Sequence, residues 1–155
     1  MSKYKNWLGL VAVLVLVVVF IGPKFKGGTN GTANVADLSN LPCLLPNMQL
    51  VLHWHPELKI LVDGEAEAIP ADIGLEGSCH RPLHTHDTTG IIHIEAQVAR
   101  DYLLEEFVVN ILGKTMEREG YDVKMTVDEK PNMEMGKLVM KDGQKIVLEY
   151  TKKAQ

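Results

Sequence analysis

From Trp7 to Gly22 the chain carries no charged residue, and this run, WLGLVAVLVLVVVFIG, divides the molecule before any fold is considered. At ~1.5 Å per residue a helix of that length falls slightly short of a hydrocarbon core of ~30 Å. Tyr4 and Trp7 at one end and Phe25 at the other extend it into the interfaces. The run exceeds the apolar part of a cleaved signal peptide, ~7–15 residues. Pro23, Lys24 and Lys26 follow it directly, and the nearest small-x-small site, Gly31-Thr32-Ala33, is distant. The expectation is a retained signal anchor over residues 1–26, a single-pass transmembrane helix, rather than a cleaved leader. Lys3 and Lys5 before the span nearly balance Lys24 and Lys26 after it. Orientation therefore rests on the short N-terminal tail and the bulk that follows, which place the domain outside the cytoplasm, at the cell membrane.

Residues 27–40, GGTNGTANVADLSN, are small and polar and read as a flexible linker. A domain then occupies residues 41–155. With a formal net charge of −4, few aromatics and no basic run, nucleic acid is not an expected partner. Cys43 and Cys79 are compatible with one disulfide outside the cytoplasm. Were they unpaired, Cys79 beside His80 and His84 would offer a thiolate to a metal.

Within the domain the hydrophobic period changes. Leu50, Leu52 and Trp54 alternate with Val51, His53 and His55, the two-residue period of a half-buried strand. Asp63-Gly64 is a hairpin turn signal. In GIIHIE, Ile92 and Ile94 face the core while His93 and Glu95 point away. Between Ala99 and Glu119 the period is helical, with Leu103, Phe107, Ile111 and Leu112 on one stripe and Gly120 as the stop. YDVKMTV, a loop with Pro131, KLVM, the turn Asp142-Gly143 and the strand KIVLEY follow. The expected fold is small α+β, a mixed or antiparallel sheet with one packed helix between two hairpins, in a β-grasp-like arrangement.

All six histidines fall between residues 53 and 93, two pairs of them as His-x-His. On an extended segment that spacing aims both rings at one side. His53, His55, His84 and His86, with His93, Asp87 or Glu95 beside them, make a nitrogen-rich donor set. Such a set suits Zn²⁺ or Cu²⁺ ahead of Ni²⁺ or Fe²⁺. Carboxylates can instead orient the rings from behind. The plainer alternative is that Thr85, Asp87, Thr88 and Thr89 tie down a turn with Gly90 at positive φ, the histidines only organising a loop or acting as a pH switch. His80, beside Arg81, reads as a bystander. Met116, Met125, Met133, Met135 and Met140 invite a copper(I) reading, but methionines at such positions are more often core filler.

HWHPELKILVDGEAEAIPADIG followed by SCHRPLHTHDTTGIIHIE resembles a largely uncharacterised family of small, mostly membrane-anchored extracytoplasmic proteins of bacteria and archaea. Its pattern is roughly His-x-His-x-x-Leu-x-Ile-x-Val-x-Gly, then Ile-Pro-Ala-x-Ile-Gly, then Leu-His-Thr-His-Asp-x-Thr-Gly-x-Ile-His-x-Glu. The LEEF helix, Leu104 to Phe107, and the closing segment Met140 to Tyr150 are similar too, so the likeness spans about residues 50–150. It implies that His53, His55, His84, His86, Asp87 and His93 occupy motif positions, and it supplies no activity. Where many relatives carry Trp-Gly after the helix, this chain has Ile111-Leu112-Gly113.

Three functions are therefore expected. The first is a membrane-anchored protein that binds, delivers or senses copper or zinc, with a membrane or periplasmic protein as its partner. The second is a metal-dependent hydrolase or oxidase with Glu95 or Asp87 moving protons. The third is a structural or partner-binding module.

Overall fold

A computed structural model describes residues 41–154. The apolar segment and the linker expected at residues 1–40 lie outside the described residues. Among the described residues no helix is long and apolar enough to cross a membrane.

Two sheets share one core. β1 (Leu52–Trp54), β6 (Leu83–His84) and β7 (His93–Ala96) form an antiparallel sheet in the order β1-β7-β6. β2 (Glu57–Val62), β3 (Glu65–Glu67), β8 (Tyr121–Val127), β9 (Lys130–Asn132) and β10 (Lys145–Lys152) form a larger sheet in the order β3-β2-β10-β8-β9. In it β2 and β10 run parallel, and every other pair is antiparallel. β4 (Leu75–Glu76) and β5 (Cys79–His80) make a small hairpin. The domain is thus α+β, with one packed helix and sheets of mixed direction.

The period-2 pattern decides which faces are buried. Ile146, Leu148 and Tyr150 of β10 meet Leu58 and Ile60 of β2 and Met125 of β8. Leu83, Ile92, Ile94 and Ala96 bring the smaller sheet onto the same core. Fully burying a side chain of this size contributes about 1.5–3 kcal/mol, so the core fixes the register of both sheets. Met125 and Met140 belong to that core, whereas Met133 is exposed.

Asp63 and Gly64, both at positive φ, connect β2 to β3 as the turn signal requires. Asp128 and Glu129 do the same between β8 and β9, also at positive φ. Pro131 lies in β9, an edge strand whose free side needs no backbone N–H. KLVM and KIVLEY do not form the expected hairpin. Val139 bridges Leu103 instead, and β10 inserts between β2 and β8.

The helix, Glu106–Ile111, is π-type and much shorter than the stripe from Ala99 to Glu119 predicts. Before it, backbone bonds tie Tyr102 and Leu104 to residues 138–140. The Glu106 carboxylate accepts the Leu103 N–H at 2.8 Å and a forked contact from Arg100 at 2.9 Å. After it, Gly113, in the left-handed conformation, ends the helix ahead of the stop expected at Gly120, and the Lys114 N–H reaches the Val108 carbonyl at 2.9 Å. Lys114 and Arg118 then both pair with Glu67 of β3. Phe107 of the apolar stripe is buried with Leu104 and Val108 beside it, while Leu103, Ile111 and Leu112 are half-buried and the stripe's ends are spent on sheet contacts and ion pairs.

Candidate metal centre

The smaller sheet turns a sequence spacing into a constellation. Along β7, His93 and Glu95 are two residues apart and share one face. The register sets His53 opposite Glu95 and His84 opposite His93. Directly opposed residues face the same way, so three adjacent strands present His53, Glu95, His93 and His84 together. His55 and His86 lie two residues beyond His53 and His84 and continue the same rows. Leu52, Trp54, Leu83 and Ile94 point to the other face, against the core.

Two groups of ligand atoms result, each within 4.8 Å of one another: His84, His86, His93 and Glu95, and His53, His55 and His93. Both contain His93. Its ring centroid is 4.4 Å from that of His86, 4.8 Å from His55 and 5.4 Å from His84. These histidine and glutamate clusters can coordinate a metal ion.

Support behind the rings is specific. The His84 ring is buried, and its Nδ1 lies 2.9 Å from the Arg81 carbonyl. A carbonyl only accepts, so Nδ1 carries the proton and Nε2 keeps its lone pair. That Nε2 sits 3.3 Å from Nε2 of His86. Nδ1 of His93 is buried and, among the described residues, has no hydrogen-bond partner; it lies 3.9 Å from Glu95 Oε1. Glu95 also reaches His53 Nε2 at 3.3 Å. Burial, the largest cause, pushes the His84 pKa down despite the Arg81 carbonyl and Glu95. His93 is lowered by burial first, then by the neighbouring His86, His84 and His55. Both are therefore kept in the neutral form that ligates.

Residues 69–74 explain why this loop holds its shape. Between the two ligands, Thr85 is buried, its hydroxyl donating to the Pro70 carbonyl at 2.8 Å and its N–H to the Ile73 carbonyl at 3.1 Å. Gly74, at φ +81°, allows that wall to close: a Cβ there would meet the Leu83 carbonyl oxygen at 2.4 Å. Gly90, at φ +89°, likewise passes against Leu58, whose N–H bonds its carbonyl at 2.8 Å. Arg81 in turn donates to the Leu41 carbonyl at 2.8 Å and pairs with Glu76 at 3.0 Å. The Cys43–Cys79 disulfide, with Cα atoms 5.1 Å apart, closes this corner. A thiolate role for Cys79 has no place beside that bond.

Asp87 is the predicted site residue that joins neither group. Its carboxylate accepts the backbone N–H of Thr89 at 2.9 Å and the Thr89 hydroxyl as well, and these bonds hold its pKa down. It shapes the turn that returns the chain to β7. His80 is exposed, its ring centroid 6.4 Å from that of His84, and stands outside both groups. The sequence pattern alone does not reveal Asp142, whose Oδ1 takes the His55 N–H at 2.8 Å and lies 3.7 Å from His55 Nδ1. It also conceals the Arg81 carbonyl, a backbone group that any residue supplies. Glu95 was legible as a neighbour of His93 on the same strand face.

No protein-family model matches the chain, and neither a curated protein nor a solved structure matches it.

Proposed function

We propose that the chain is a membrane-anchored, extracytoplasmic protein that binds Cu²⁺ or Zn²⁺ through its histidine sheet and passes the ion to a membrane or periplasmic partner. One observation carries the reading: His84, His86, His93 and Glu95 converge within 4.8 Å, with His84 already oriented by the Arg81 carbonyl. Three imidazoles and a carboxylate complete a tetrahedral zinc sphere, and the nitrogen-rich set also suits Cu²⁺. The disulfide supports an oxidising compartment. The uncharged run Trp7–Gly22 supports the anchor. The order β3-β2-β10-β8-β9, with its parallel central pair, supports a β-grasp-like reading of the larger sheet. The histidine motifs support kinship with the anchored family they resemble.

A second reading draws on the position of Glu95. If the three histidines alone bind the ion, a coordination site stays open beside a carboxylate, the arrangement of a metal-dependent hydrolase.

The test is the metal content of the full chain, purified without a histidine tag and measured by elemental mass spectrometry. About one equivalent of copper or zinc, lost in H84A/H86A, is expected. A folded protein that carries none and takes up neither added ion would overturn the proposal and leave the histidines a loop-organising role.

A further inference from the structure

The two ligand groups differ in depth and have one residue in common. His84 is buried, while the side chains of His53 and His55 are 56% and 42% exposed. His93, 20% exposed, stands between them and belongs to both groups. A neutral imidazole has one lone pair, since its other ring nitrogen carries the proton. His93 can therefore bind an ion in the deep group or in the outer group, but not in both, unless it loses its last ring proton to become an imidazolate.

We propose that the two groups are successive positions for a single ion: His53, His55 and His93 take it at the surface, and His84, His86, His93 and Glu95 hold it. This rests on the metal-binding reading above. The transfer balances without a redox step. Bonds to His53, His55 and one water break as bonds to His84, His86 and Glu95 form, and the ion's charge is unchanged. His93 remains a ligand throughout, keeping one ring nitrogen on the ion and the proton on the other. Glu95 lies 3.3 Å from His53 and 3.9 Å from His93, so one carboxylate oxygen stays beside the cation along the path. The same route in reverse releases the ion to an acceptor outside, and imidazoles at the mouth suit an acceptor that itself offers nitrogen or sulfur ligands.

The experiment compares full-length wild type, H53A/H55A and H86A, each titrated with Zn²⁺ and with Cu²⁺. Affinity is read by chelator competition, and loading and release by stopped flow against excess chelator. H53A/H55A alters exposed side chains, and H86A spares the buried His84, so folding is not at stake. Wild type should bind one ion. H53A/H55A should keep its affinity within about threefold while loading and release both slow by about tenfold or more, since a surface intermediate lowers the barrier in both directions. H86A should instead lose affinity by about 10–100-fold. Two tightly bound ions in wild type, or unchanged rates in H53A/H55A, would overturn the relay while leaving metal binding intact. Failure of wild type to bind either ion would overturn the metal-binding reading itself, and the relay with it.

Discussion

Burial holds the His84 and His93 rings in their neutral form, and this has a sign that can be tested. An unfolded histidine titrates near pH ~6.5. Because both folded values lie lower, the unfolded chain takes up protons first as the pH falls. The stability these rings contribute is complete above ~6.5 and is lost as pH drops through their depressed folded values. Metal affinity falls over the same range, because only neutral imidazole ligates. Denaturation midpoints of the metal-free protein between pH 8 and 5 should therefore decrease below about 6.5, and the decrease should be smaller in H84Q. A midpoint that is flat across this range would show that these rings titrate normally. At this scale the sequence was informative. The two-residue period put His53, His93 and Glu95 on polar strand faces, and the register agrees, while His55 falls just past the end of β1. Asp87 misled because an acidic residue flanked by histidine and threonine has the composition of a ligand and of a turn alike. Only the path of the chain, which returns Thr89 onto its carboxylate, separates the two.

Among the elements, turns are legible in the sequence where their chemistry is conventional. Asp63-Gly64 forms the β2–β3 connection, but Asp128-Glu129 makes the equivalent β8–β9 turn with a non-glycine residue at φ +67°. A glutamate in that conformation costs about 1–2 kcal/mol. Long-range bonds hold it: the Asp128 N–H donates to the Lys145 carbonyl at 2.8 Å, and the Lys145 N–H donates to Asp128 Oδ1 at 2.9 Å. E129G should raise stability by about 1 kcal/mol in urea denaturation, the relief of strain exceeding the entropy glycine loses on folding. A destabilised E129G would mean the side chain has a role beyond the turn. The helix was legible in kind but not in extent. Its stripe has the right period, yet Leu103 is drawn into a bridge with Val139, and Lys114 and Arg118 are drawn to Glu67. Period alone cannot register partners 36 to 51 residues away. The β6 edge of the histidine sheet was hidden for a related reason: it has two residues, too few for any period to be seen.

Across the whole domain, the core and the histidine face are two sides of the same small sheet. Ile94 and Leu83 pack inward while His93 and His84 point outward from adjacent positions, so fold stability and site geometry are coupled. The disulfide closes the corner where Arg81 joins the N-terminal segment at Leu41 to His84. With Cys43 and Cys79 separated by 36 residues, its loop-closure contribution is about 3–4 kcal/mol. C43S/C79S should lower the unfolding free energy by roughly that amount. A much smaller loss would indicate that the Arg81 contacts hold the corner unaided.

The most direct test of the account is electron paramagnetic resonance of the full chain with one equivalent of Cu²⁺ as probe, read for hyperfine coupling to imidazole nitrogen. The account predicts a single tetragonal copper species coupled to about three imidazoles and replaced by a different or free-ion signal in H84A/H86A. A wild-type spectrum matching aqueous Cu²⁺, or an imidazole-coupled spectrum that H84A/H86A leaves unchanged, would contradict it.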